Sequence, residues 1–199
     1  MSKAERTRQF IIEQTAPIFN KQGYVGTSLN DLTAATGLTK GAIYGNFENK
    51  EEVALAAFDY NLGLVHEGLN AGLYSAATVR EKLLAMPRFY REAYPTFCQR
   101  GGCPVLNAAI ETDDAPPTAL RQRVQDSLAR WHRNVVRLIE QGQQTGEIQP
   151  AAEAGRYATL FIALTEGGIM VAKATGDAKA LYTSLAHIEQ LIEKELVVR

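Results

Sequence analysis

The chain has 199 residues and a net charge of −1, with 46% hydrophobic and 22% charged residues. That length and balance suit one large domain, or a small one beside a larger one, and exclude a disordered or low-complexity chain. No window approaches 18 uninterrupted apolar residues, and "MSKAERTRQFIIEQ" lacks the apolar core of a secretory signal, so no membrane partner is expected and the cytoplasm is the expected address.

In chain order, nearly every segment reads helical. From Ala4 to Gln22, Ile11, Ile12, Ala16 and Phe19 recur at three- and four-residue steps before Gly23 closes the helix. In "TSLNDLTAATG", Ser28 can cap with Asp31 three residues on, Leu29 and Leu32 face inward, and Gly37 stops the helix. "LTKGAIYGNF" predicts a short helix capped by Thr39. The long run beginning "ENKEEVALAAF" has Asn49 as cap and acidic residues in its first turn, which suits the helix dipole. The aromatic-rich "TVREKLLAMPRFYREAYPTFCQ" follows, with Pro87 and Pro95 expected to kink or break it. "RGGCPVLNAAIETDDAPP" reads as a glycine-proline bend, a short apolar helix and an acidic loop. Three amphipathic or apolar helices complete the chain: "TALRQRVQDSLARWHRNVVRLIEQGQQTG", "AAEAGRYATLFIALTEGGIMVAKATG" and "DAKALYTSLAHIEQLIEKELVV". No run alternates as a strand does, so the expected fold class is all-α.

Two short helices joined at Gly37 make a helix-turn-helix pattern. Packing through Leu32, Leu38 and Ile43 would leave Thr39, Lys40, Gly41, Ala42, Tyr44 and Asn46 on the outer face of the second helix. A recognition helix must enter a groove about 12 Å wide, so small residues near its start allow close approach. Thr39 and Lys40 can donate to base edges or phosphates, and the Tyr44 hydroxyl can reach a phosphate. Thr27, Ser28 and Lys50, at two other helix starts, offer further phosphate contacts. Residues 1–50 hold six basic residues against four acidic ones, a modest asymmetry in the same direction.

The stretch "GYVGTSLNDLTAATGLTKGAIYGNFENKEEVALAAF" resembles the DNA-binding region of the tetracycline-repressor (TetR) family of bacterial transcription regulators. The likeness covers Ala4 to about Phe58, through Gly23-Tyr24, Thr27, Leu32, Gly37-Leu38, Lys40-Gly41, Ile43-Tyr44, Phe47 and Lys50-Glu51. It departs at Thr33, where the family usually has alanine, and at Gly45-Asn46, where histidines or related polar residues are common; the second departure bears on operator preference. The resemblance implies a three-helix DNA-binding domain over residues 1–50 and a connecting helix from about 50 to 73. A regulatory, ligand-binding and dimerisation domain would occupy residues 51–199. "GGCPVLNAAIETDD" followed by "LR" resembles a subgroup whose members include regulators responding to reactive electrophiles.

In the regulatory half, Phe89, Tyr90, Tyr94, Phe97, Trp131, Tyr157 and Phe161 concentrate aromatics that can line an apolar pocket or simply fill a core. The expected effector site comprises Phe89, Tyr90, Phe97, Cys103, Asn107, Trp131, Phe161 and Glu166. Cys103 opens a helix, where the dipole favours thiolate, so covalent sensing there is an alternative to a noncovalent effector. Cys98, Cys103, His66, His132 and His187 show no zinc-site spacing, and two cysteines make no disulfide framework; no metal or cofactor is expected. Leu160, Leu164 and Gly168, with Leu181, Leu185, Ile188 and Ile192, follow helical seams that suit a four-helix dimer interface, unless the two helices bury those faces within one chain. A palindromic site, with half-sites about one DNA turn apart, asks for a dimer on mechanism as well. The expected protein is a homodimeric repressor that a small-molecule effector releases from a palindromic duplex operator. A ligand-independent architectural DNA-binding protein is the other reading. No nucleophile–base pair, metal set or phosphate loop stands out, so an enzyme is not expected.

Overall fold

The computed structural model describes residues 1–114 and 118–198; Ala115 to Pro117, the end of the predicted acidic loop, lie outside the described residues. Among the described residues there are nine α-helices: α1 (Lys3–Gln22), α2 (Leu29–Thr36), α3 (Lys40–Tyr44), α4 (Lys50–Ser75), α5 (Val79–Gln99), α6 (Pro104–Thr112), α7 (Ala119–Thr145), α8 (Ala154–Thr175) and α9 (Lys179–Leu191). The fold is all-α, as its periodicities predict.

Packing divides the chain into two compact units. One comprises Met1–Val65 with Gln99–Val124; the other comprises His66–Cys98 with Gln125–Arg199. This line differs from the one drawn at residue 50 on sequence, because Val53, Ala57, Phe58 and Val65 of α4 are buried in the first unit, and Asn61 Nδ2 donates to the Ala16 carbonyl at 2.9 Å. The first unit also takes in α6, which packs on α1. Its core is built on Ile11, Ala16 and Phe19 of α1, met by Leu32, Ile43 and Phe47.

In the second unit α8 and α9 pack closely along their length. Leu181, Leu185, Ile188 and Ile192 are fully buried there, opposite Phe161, Ile169 and Ala172. Gly168 belongs to the same contact: a Cβ on it would lie 3.0 Å from the Leu181 Cα. These five residues were expected in a dimer seam. They are spent inside one chain instead, and a side chain with no exposed surface has none left to bury against a partner. Leu160 and Leu164 remain half-buried. Arg80 pairs with Glu193, and Arg91 with Glu189 at 3.0 Å, joining α5 to the C-terminal segment.

Two local expectations change. Helix α5 is not broken by Pro87 or Pro95. Each proline forfeits one amide bond, but buried Leu83, Leu84, Tyr90 and Tyr94 anchor the helix on both sides. The last helix, in turn, does not run to the end. It passes into a π-helical turn, Ile192–Leu196, after which Val197 pairs with Ile148 in an isolated antiparallel bridge. The Gln149 N–H donates to the Leu196 carbonyl at 2.7 Å, and the Tyr157 hydroxyl donates to Glu195 at 2.8 Å.

Val171→Glu on the exposed side of α8 should therefore leave the chain folded. Leu185→Glu should unfold it, since burying a carboxylate among apolar groups costs several kcal/mol. Circular dichroism during thermal unfolding of the two variants checks this contrast.

Candidate nucleic-acid interface and effector cavity

The start of α2 is fixed by a reciprocal cap. Ser28 Oγ accepts from the Asp31 N–H at 3.3 Å, while Asp31 Oδ2 accepts from the Ser28 N–H at 2.7 Å and from its hydroxyl at 2.6 Å. Those bonds hold the Asp31 carboxyl below the usual carboxylate range. At the other end Gly37 adopts φ +65°, a left-handed conformation open to glycine, and its N–H closes on the Thr33 carbonyl at 2.9 Å. The chain then enters α3, where Thr39 Oγ1 accepts from the Ala42 N–H at 3.2 Å.

Helix α3 buries Ile43 and turns the rest outward. Thr39, Lys40 and Gly41 are exposed, while Ala42 and Tyr44 are half-exposed, and the Lys40 ammonium lies 5.9 Å from the Tyr44 ring. A Cβ on Gly41 would meet nothing within 4 Å, so no packing inside the protein requires a glycine there. This face offers a cation, two hydroxyls and a low backbone to whatever approaches it. It has the make-up of a recognition helix.

Three of the expected contacts sit differently. Thr27 is fully buried, and its hydroxyl donates to the Gly23 carbonyl at 2.6 Å, so it stabilises the loop rather than facing a phosphate. The Lys50 ammonium donates to the carbonyls of Thr27 at 2.8 Å and Val25 at 3.2 Å. Asn46 Nδ2 donates to the Ala42 carbonyl at 2.9 Å and closes α3. The local cap and turn signals were readable in sequence, but these longer-range partners were not.

The residue that sequence reasoning missed is Arg8. Its guanidinium lies 4.0 Å from the Phe47 ring centroid, donates to the Asn46 carbonyl, and pairs with Glu52 at 2.7 Å. Glu52 also accepts from the Glu48 N–H, and these bonds, that amide first, hold its carboxyl below the usual range. Arg8 thus ties α1 to the chain leaving α3. Its partners lie about forty positions away, beyond any local pattern.

In the second unit a cavity of about 80 Å³ opens between α4, α5, α7 and α8. Leu69, Leu73, Leu83, Met86, Trp131, Val135, Leu138 and Phe161 make its wall, and Lys82 and Asn134 are its polar lining groups. Trp131 Nε1 donates to Met86 Sδ at 3.3 Å, and the Trp131 ring stacks on Tyr90 at 5.8 Å. Of the expected effector residues, Trp131 and Phe161 line this cavity. Phe89, Tyr90 and Phe97 instead pack on one another, at 5.2–5.8 Å between ring centroids. Glu166 is half-buried on α8 and does not line it. Cys103 and Asn107 lie in the other compact unit. Cys103 is only 3% exposed, whereas Cys98 is exposed.

Residues 11–57 match the family model of bacterial regulatory proteins of the tetR family, and residues 79–188 match that of the tetracyclin repressor-like C-terminal domain. A TetR-family transcriptional regulator from Cytophaga hutchinsonii is 45% identical, with a TM-score of 0.93 over 100% of this chain and 99% of its own. The chain belongs to the TetR family. It is a DNA-binding transcription regulator, and α2–α3 is the helix-turn-helix of that family. A TetR regulator from Chloroflexus aurantiacus is similar at 38% identity, with a TM-score of 0.92 over the whole of both chains. Among curated relatives, the repressor NemR of Escherichia coli is 24% identical over 194 residues, 94% of each chain. Helix α8 is long and apolar enough by composition to cross a membrane, but Tyr157, Phe161, Ile169 and Ala172 bury one side of it within the chain.

Two substitutions separate the roles of this surface. Gly41→Ala should raise helix stability by about 0.5–1 kcal/mol, and Gly41→Leu should leave the fold intact yet abolish specific duplex binding by obstructing the groove. Thermal melts beside mobility shifts check both. Arg8→Lys keeps the charge but loses the planar fork. A phosphate contact would survive that change, whereas positioning of α3 would not, so duplex affinity should fall severalfold while the melting temperature drops by about 2–4 °C.

Proposed function

We propose that the protein is a homodimeric repressor which leaves a palindromic operator when a small, largely apolar effector enters the cavity beside Trp131. The observation that carries the effector reading is the cavity itself: an apolar space in the second unit with two polar groups to orient a ligand. At about 80 Å³ it holds only a few heavy atoms as it stands. A larger effector requires Met86 and neighbouring side chains to move, and methionine is the side chain best able to do so. The narrow and the widened cavity then supply the two states that a ligand can bias, by no more than its difference in affinity for them. Coupling of about 1–3 kcal/mol would lower operator affinity from severalfold to over a hundredfold. A duplex operator as target supports a cytoplasmic address.

A dimer is supported by the outward side of α8. Leu160, Ala163, Leu164, Gly167, Met170, Val171 and Ala174 recur there at helical spacing, with Met170 49% and Val171 41% exposed. On α9, Tyr182 and Ala186 help line a shallow depression. A contiguous apolar stripe of this kind is suited to isologous pairing, and its small residues let two helices approach.

Trp131 is the sole tryptophan, so its fluorescence reports the cavity directly. Compounds that release the duplex should change Trp131 emission in the same concentration range. Leu138→Phe, which fills the cavity, should keep duplex binding and lose the response; release without any emission change would remove the cavity from the mechanism. Val171→Glu should give a folded monomer in light scattering, with specific duplex binding lost.

A further inference from the structure

The segment "GGCPVLNAAIE", which leads into and along α6, has no part in the cavity; its polar groups are bonded to the DNA-binding helices instead. Asn20 Nδ2 donates to the carbonyls of Arg100 at 2.8 Å and Gly102 at 2.9 Å. Asn107 Nδ2 returns bonds to the Asn20 carbonyl at 3.0 Å and to the Gly101 carbonyl at 2.8 Å. One helical turn further on, the Glu111 carboxylate accepts the backbone N–H groups of Tyr24 at 2.8 Å and Val25 at 2.6 Å. Two close approaches make this possible. A Cβ at Gly101 would lie 2.8 Å from the Asn20 carbonyl oxygen, and one at Gly23 would lie 3.0 Å from the Glu111 carboxylate.

The loop so held is the one that delivers the chain to α2. Glu111 takes its amides while Lys50 takes the carbonyls of Val25 and Thr27, so groups of opposite charge grip its two sets of backbone dipoles. The next residue, Ser28, is the cap of α2. We propose that Glu111 is a positioning residue for operator binding: from α6, without touching DNA, it sets the loop that fixes the start of the helix-turn-helix. This rests on the DNA-binding reading and adds to it a determinant outside the first three helices. A carboxylate facing two amide donors is matched to them; a carboxamide of the same shape offers one oxygen and brings a donor of its own, so one amide must lose its partner.

The test uses the full chain and a duplex selected by the wild-type protein from a random library. Glu111→Gln should lower affinity for that duplex about tenfold. The slope of log affinity against log salt should not change, because no phosphate contact is lost. Amide exchange at Tyr24 and Val25 should quicken, while the amides of Ile11 and Phe19 stay protected. Glu111→Asp keeps the charge but withdraws it by one methylene, and should fall between the two, which keeps the test valid if the glutamine variant folds poorly. Unchanged affinity with quickened exchange would overturn the proposal, and so would unchanged exchange. Tighter binding would overturn it too, by showing that Glu111 merely repels phosphate. If the wild-type protein selects no duplex, the DNA-binding reading falls and this proposal with it; if wild type and Glu111→Gln bind equally well, only this proposal falls.

Discussion

A helix of five residues does not hold itself together in water, because the cost of its first turn is recovered only over many more residues. Helix α3, the second helix of the helix-turn-helix, is that short. Its conformation is therefore imposed from outside, and much of the first unit serves that end. Thr39 caps its start and Gly37 sets its entry angle. Ile43 anchors its inner side, while Asn46 and Arg8 close its exit. Lys40, Gly41 and Tyr44 on the outer face are then available for recognition, since the helix is held at its two ends and by Ile43 beneath.

The second unit follows the opposite economy. Its helices are long, with 13 residues in α9, 22 in α8 and 27 in α7, most of which lies in this unit, and are held by apolar burial, with Leu181, Leu185 and Ile188 each contributing about 1.5–3 kcal/mol. Such packing leaves room for a void where large side chains meet imperfectly, and the space beside Trp131 is one. The aromatic residues nearby mostly satisfy each other: Tyr90 touches Trp131 and Phe97, and Phe89 touches both Tyr90 and Phe97. Composition identified the region but not which rings would face the void.

What could be read in the sequence was what depends on neighbours in the chain. The caps at Ser28 and Thr39, the stop at Gly37 and the inward Leu32 and Ile43 all express one- to four-residue relations, and all stand as expected. What could not be read depends on residues far apart. Arg8 with Glu52, Glu111 with Tyr24, and Lys50 with Thr27 leave no periodic trace. The seam on α8 and α9 shows the same limit from the other side. Periodicity finds an apolar face, but it does not say whether a neighbouring helix or a second copy will cover it. Leu185 and Ile188 are covered by α8, so the face still open is the one carrying Met170 and Val171.

The smallness of the cavity also has a consequence in time. A space of about 80 Å³ walled by Leu73, Met86, Trp131 and Phe161 admits a larger guest only when those side chains part. Entry of such a guest would then be paced by motion of those walls, on microseconds to milliseconds, and not by how often molecules collide with the surface. If the effector site is the one proposed above, its association rate would fall below the diffusion limit and would depend on the packing of those walls as much as on the affinity of the space itself.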